Sequence, residues 1–228
     1  MAKKLINLLL VSIAFATPVF LILSFTNKNT AQPSNNNTYI QLSAVKAATT
    51  QPKPSFNNLL YPTNDYKSLW AIISVNTQIP SNYRPDDLEL IATAKGENIF
   101  IRSVVKERAE SMLRAAAKEM LNIKITSGFR SFSQQQRIYA IKAEGIAAKP
   151  GYSEHQLGLA IDVSAGTNEN IWLANHAHKF GFIIRYPENK QSITGFAYEP
   201  WHLRYVGVEL ATEIKNSNKT MEEYFGQR

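Results

Sequence analysis

Pro150-Gly151-Tyr152-Ser153-Glu154-His155-Gln156-Leu157-Gly158-Leu159-Ala160-Ile161-Asp162-Val163 places two potential metal ligands, His155 and Asp162, seven residues apart around Gly158. The apolar run from Leu159 to Val163 has the length and composition of a buried strand. Gly158 permits a tight backbone path between that strand and the loop carrying His155. A second stretch, Tyr198-Glu199-Pro200-Trp201-His202, sets Glu199 and His202 three residues apart. Pro200 between them excludes an ordinary helical turn, so both belong to a strand or a bend. Two imidazoles and one carboxylate can give a zinc ion three protein ligands and leave the fourth position to water, as catalytic sites do. Glu199 is then spare to accept a proton, which is what metal-assisted hydrolysis requires. On spacing alone, two histidines and an aspartate more often mean hydrogen-bonded polar residues in a half-buried cleft.

Between a predicted strand and a predicted helix lies Ser127-Gly128-Phe129-Arg130-Ser131. Arg130 there can enter a cleft and bind a carboxylate through two parallel hydrogen bonds, or stabilise an oxyanion. A surface arginine at a strand end is an equal alternative on these residues alone. Ser153 reads as a turn residue or a substrate contact. His176 and His178 stand two apart on a predicted helix, so they face different ways and read as solvated or capping residues. The chain has no G-x-S-x-G elbow, which argues against a serine hydrolase. It has no cysteine, which excludes disulfides, a thiol nucleophile and cysteine-ligated metal.

At 228 residues the chain accommodates one well-cored domain plus appendages. Its net charge of +7 is unevenly placed: up to Asn64 there are five lysines and no acid, and the remainder carries 20 basic against 18 acidic residues. A near-neutral domain gives little support to a nucleic-acid-binding face. The basic tail suits an anionic membrane or wall surface, and equally a spacer that simply lacks acids. Lys3 and Lys4 precede an uncharged run from Leu5 to Phe25, long enough for a helix of roughly 30 Å, about one bilayer core. Residues 1–26 are therefore expected to be a membrane anchor with the bulk of the chain outside, or a signal segment followed by secretion. Residues 27–58, rich in Asn, Thr, Gln, Ser, Ala and Pro, are expected to be a disordered linker, and residues 59–228 the folded domain.

Within that domain the patterns predict a strand from Leu69 to Val75 and a helix from Arg102 to Leu121. Val105, Ala109, Met112, Leu113, Ala116 and Met120 fall on the core face of that helix. A strand over Ile123–Thr126 follows, then a helix over Ser131–Ala143 opened by Ser131 or Ser133 and ended at Gly145. Leu159–Val163, Gly181–Arg185 and Tyr198–Tyr205 read as strands. Asn168–Lys179, Val208–Lys215 and Met221–Phe225 read as helices. Strands and helices mix without a βαβ rhythm, which points to an α+β fold.

Three segments, SGFRSFSQQQRIY, PGYSEHQLGLAIDV and GFIIRYPENKQSITGFAYEPWHLRYVG, resemble in order those of the VanY-type metal-dependent D-alanyl-D-alanine carboxypeptidases. These belong to the wider zinc peptidase group with the signature S-x-H-x-x-G-x-A-x-D, met here by Ser153, His155, Gly158, Ala160 and Asp162. The resemblance spans Leu69 to Gly207. It implies that His155, Asp162 and His202 are zinc ligands, and that Glu199 is the base that deprotonates water and returns the proton to the leaving amine. It implies that Arg130 stabilises an oxyanion or binds the substrate carboxylate, that Ser153 and Gln135 line the substrate groove, and that Trp201 shapes the pocket wall. The implied fold is a small α+β domain whose central antiparallel sheet, flanked by helices, carries the ligands. The implied reaction removes the terminal D-alanine of a peptidoglycan stem peptide. An L,D-carboxypeptidase or D,D-dipeptidase fits the same motifs, and an idle wall-binding module on a membrane tether is the alternative of another class.

Overall fold

Strands and helices alternate irregularly along residues 60–74, 77–91, 98–142 and 147–227, which the computed structural model describes. β1 (Leu88–Ile91) and β2 (Ile99–Arg102) lead into α1 (Ser103–Lys118), β3 (Lys124–Ser127) and α2 (Phe132–Ile141). A 3₁₀ turn (Glu154–Leu157) precedes β4 (Ala160–Ser164), and α3 (Thr167–His176) runs into a second 3₁₀ turn (Ala177–Phe180). β5 (Phe182–Tyr186), the single-turn α4 (Gln191–Thr194), β6 (Glu199–Tyr205), α5 (Val208–Ser217) and α6 (Met221–Phe225) complete the described chain. β1 and β2 pair with each other, while β3-β4-β6-β5 form an antiparallel sheet in that order. The anchor and linker expected over 1–58 lie outside the described residues. No helix among the described residues is long and apolar enough to cross a membrane.

Period-2 alternation sorts the sheet into an apolar and a polar face. Ile161 and Val163 of β4, with Leu203 and Tyr205 of β6, enter the main core beside Met112, Ala116 and Leu173. Asp162, His202 and Arg204 take the intervening positions, so the sheet that buries the core also displays the polar residues. Full burial of each such Leu or Ile stabilises by roughly 1.5–3 kcal/mol. A second cluster, around Ile183, Val206, Leu210, Ile214 and Met221, docks α5 and α6.

Four sequence expectations need correction or completion. The Leu69 to Val75 run is not a strand over its described part, where Ser74 makes only an isolated bridge to Thr77. Ala71 and Ile72 are buried as their composition demands. Their backbone groups, however, are taken up elsewhere: Ile72 N–H donates to Thr63 O at 2.9 Å, and Arg204 Nη2 donates to Leu69 O and Ala71 O at 2.9 and 3.0 Å. Val105, Ala109, Met112 and Ala116 are buried on α1 as the periodicity requires, but Met120 is 94% exposed. The helix stops at Lys118, and Met120 turns out of it at φ 60°. α2 opens at Ser131, whose side chain accepts from Gln134 N–H while Gln134 Oε1 accepts from Ser131 N–H at 2.8 Å. It ends at Ile141, and the expected stop at Gly145 falls outside the described residues. The β1–β2 pair had no counterpart in the sequence reading.

Gly128 marks where β2 passes close beneath the end of β3. A Cβ on it would lie 2.5 Å from Phe100 O and 2.7 Å from the Cγ2 atoms of Ile99 and Ile101. Gly128→Ala is therefore expected to cost about 1–3 kcal/mol by overpacking. Urea unfolding midpoints of the two proteins measure this, and an unchanged midpoint would contradict so close an approach.

Candidate active site

The pairing of β4 with β6 places Asp162 directly opposite His202. His202 Nδ1 lies 3.0 Å from Asp162 Oδ1, and the Nε2 of His155 lies 3.2 Å from Asp162 Oδ2. The two imidazoles stand edge to face, with ring centroids 5.0 Å apart. One ligand atom from each of these three residues lies within 4.8 Å of the others. His155 comes from the 3₁₀ turn before β4, which ends at Gly158 in the left-handed region (φ 68°). A Cβ there would also press on Arg102 and Leu88 at 3.0 and 3.1 Å, so this tight path belongs to glycine.

Both histidines are oriented from behind. Nδ1 of His155 lies 2.7 Å from the carbonyl oxygen of Gly128, which can only accept, so that nitrogen carries the proton. Nε2 is left with a lone pair, buried and without a hydrogen-bond partner, facing the acceptor Asp162 Oδ2. Two acceptors at 3.2 Å repel unless a cation lies between them. The nitrogen and oxygen donor set, drawn from two histidines and one carboxylate, fits zinc with an open position. The ring of Tyr186 stacks on His202 with centroids 5.0 Å apart, and Phe196 stacks on the other side of Tyr186 at 4.5 Å.

The electrostatics agree with a cation site. Burial and the Arg130 guanidinium hold the His155 pKa below its ordinary value against the pull of Asp162. Burial opposes charge on Asp162, but His155 and His202 outweigh it and keep this carboxyl well below the usual range. Burial likewise opposes charge on His202, yet the neighbouring carboxylates of Asp162 and Glu154 raise its pKa to about 9.

Glu199 stands outside the three-residue group, its Oε2 4.0 Å from His202 Nδ1. Burial raises its pKa, with His202 and Arg130 opposing and Asp162 adding. An irregularity in the sheet brings it there. Leu203 pairs with Ile184 and Glu199 with Tyr186, so Pro200, Trp201 and His202 of β6 stand opposite Arg185 alone of β5. Such an insertion re-aims side chains that regular alternation would send to opposite faces.

A cavity of about 270 Å³ opens over these groups, lined by Arg130, Gln135, Ser153, Glu199 and Trp201 together with the three candidate ligands. Arg130 is pinned by its backbone N–H to His155 O at 3.2 Å. Burial lowers its pKa while Asp162 and Glu199 counteract. Gln135 is buried and donates from Nε2 to Ala148 O at 2.7 Å, and Ser153 is buried at the start of the 3₁₀ turn. Trp201 remains 45% exposed, at the rim. His176 bonds Trp172 O and stacks on its indole; neither it nor His178 lines this cavity.

The sequence reading passed over Glu154, Arg185, Arg204 and Tyr186. Glu154 is buried beneath His202, with Oε1 bound by Arg185 Nε at 2.8 Å and paired with Arg204 Nη1 at 2.8 Å. Despite burial, the two guanidiniums hold its carboxyl far below the ordinary range. Its place beside His155 in the chain was the available signal, since a carboxylate buried with such a residue requires cationic partners.

Comparison with known proteins follows the same lines. Residues 98–208 match the model of the VanY D-alanyl-D-alanine carboxypeptidase family. A D-alanyl-D-alanine carboxypeptidase of Enterococcus faecalis is 39% identical over 180 residues, covering 68% of this chain and 65% of that protein, so the chain spans about two thirds of its length. The LdcB LD-carboxypeptidase structure superposes with a TM-score of 0.66 at 36% identity, covering 71% of this chain and 87% of that one. A zinc-bound variant of a vancomycin-resistance D,D-pentapeptidase VanY, from a VanB-type cassette, gives 0.61 at 35% identity, covering 70% and 99%. The chain belongs to the VanY family of D-alanyl-D-alanine carboxypeptidases.

Proposed function

We propose that this protein is a zinc-dependent carboxypeptidase that hydrolyses the terminal D-Ala-D-Ala bond of peptidoglycan stem peptides. The observation that carries the reading is the convergence of His155, Asp162 and His202 beneath a cavity, with Glu199 beside them but outside the group. Zinc, when bound, supplies a Lewis acid that polarises the scissile carbonyl and makes a neighbouring water more acidic. His155, Asp162 and His202 would hold it. Glu199 takes the proton from the attacking water and returns it to the amine of the departing D-alanine, so one water is consumed per bond cleaved. Arg130, on the same cavity wall, offers a guanidinium to the substrate carboxylate or to the oxyanion as it develops. Ser153 and Gln135 line the groove floor, and Trp201 forms its rim.

The site of action is the cell wall, reached by export. The uncharged Leu5 to Phe25 run behind Lys3 and Lys4 supports a single membrane span with the domain outside, or secretion after cleavage. The zinc-bound D,D-pentapeptidase supports zinc and cleavage between D-residues, while LdcB supports L,D cleavage on the same scaffold. Incubating defined tri-, tetra- and pentapeptide stems and weighing the products tests the choice. Loss of one alanine from the pentapeptide alone is expected. Trimming of the tetrapeptide would make it an L,D-carboxypeptidase, and release of free dipeptide a D,D-dipeptidase.

Glu199→Gln is expected to keep its zinc while turnover drops by about 10²–10⁴-fold, the usual contribution of a positioned base. Metal content and D-alanine release measured on one preparation check this, and near-normal turnover would remove Glu199 from its role. Zinc uptake is also expected to depend on pH. In chelator-treated protein the His202 ring is protonated below a pKa of about 9, and that proton must leave before the ring ligates. Affinity should therefore rise with pH up to about that value, with about one proton released per ion at neutral pH. Calorimetry in buffers of different ionisation enthalpy counts the proton.

A further inference from the structure

Glu154 precedes a candidate zinc ligand in sequence, yet its side chain serves the other histidine. Its Oε2 is buried, makes no hydrogen bond, and lies 3.8 Å from the Nε2 of His202. That nitrogen is also buried and unpartnered. A buried donor and a buried acceptor facing each other with no competing partner are each other's complement, and a closure of less than 1 Å from 3.8 Å makes the bond. Oε1 meanwhile is fixed by Arg185 Nε and Arg204 Nη1. Both arginines are anchored in turn. Arg185 is gripped by the two carboxylate oxygens of Glu222 on α6, and Arg204 donates to the carbonyls of Leu69 and Ala71. The carboxylate thus sits in a rigid cationic cradle with one oxygen left for the imidazole.

We propose that Glu154 is a positioning residue that accepts the Nε2 proton of His202 and so holds the Nδ1 lone pair toward Asp162 and His155. The inference rests on reading those three residues as the zinc site. A carboxylate behind a ligating imidazole sets the ring's tautomer and orientation and strengthens it as a donor. Glu154 thereby does for His202 what the carbonyl of Gly128 does for His155, with a full charge instead of a dipole.

The test is zinc affinity of the full chain, wild type against Glu154→Gln, by competition with a chromophoric chelator, with a melting curve for each. The glutamine variant is expected to bind zinc about 10–100-fold more weakly, at a temperature where it is folded. Equal affinity in the folded variant would overturn the role of Glu154 while leaving the zinc site intact. A wild-type protein that binds no zinc would instead overturn the site reading on which this one stands. Should the variant fail to fold, ¹⁵N-labelled zinc-loaded wild type decides. The expected spectrum has the proton of the His202 ring on Nε2 and the metal on Nδ1, and the reverse tautomer would overturn the proposal.

Discussion

The register between β4 and β6 is the constraint on which the site depends. Because Asp162 stands opposite His202, Ile161 stands opposite Leu203, and the same pairing that joins two polar residues of the candidate site joins two core residues. A slip of one residue would turn His202 and Arg204 into the core and lift Leu203 and Tyr205 out of it. The apolar alternation therefore enforces the geometry of the polar face. Hydrophobic burial, which has no chemical role, aligns the groups that do.

Beneath that face lies a set of buried charges that stability alone does not explain. Glu154, Arg185 and Arg204 are each almost fully buried. Taking such ions out of water costs several kcal/mol apiece, and replacing them with packed apolar residues is often neutral or stabilising. The network does have a structural reach: Arg204 fixes the Leu69 to Ala71 backbone, and Arg185 ties β5 to Glu222 of α6. Neither tie requires a carboxylate aimed at His202. The feature left over is the unbonded Oε2 of Glu154 under the ring, and an oriented imidazole is what a metal-binding side chain needs.

His155, Asp162, His202 and Glu199 were legible in the sequence because their chemistry is local: ligand types, a glycine and a proline at short spacing. The strand carrying Asp162 and the helix with Val105, Ala109, Met112 and Ala116 were legible for the same reason, since periodicity is also local. The Leu69 to Val75 run misled because its apolar composition reports burial and not pairing. Its carbonyls are satisfied by an arginine more than 130 positions away. Met120 kept the helical period two residues past the end of α1. Glu154 was passed over because its partners, Arg185 and Arg204, lie on β5 and β6 and meet it only once the sheet has formed.

Glu199 shows why spacing needs the fold to become chemistry. Residues three apart in a regular strand point to opposite faces, so a regular β6 would give His202 to the site and turn Glu199 away. The ladder is irregular opposite Arg185, so that alternation is interrupted there, and Glu199 lies within 4.0 Å of His202. Proline has no backbone N–H to donate, so Pro200 is tolerated where the ladder is already interrupted and would be costly in a continuous central strand. The proline first read only as a barrier to helix thus sits in the irregularity beside which Glu199 and His202 meet. The same deviation lets one strand present two side chains at one cavity, His202 over the buried carboxylate of Glu154 and Glu199 half-buried beside it.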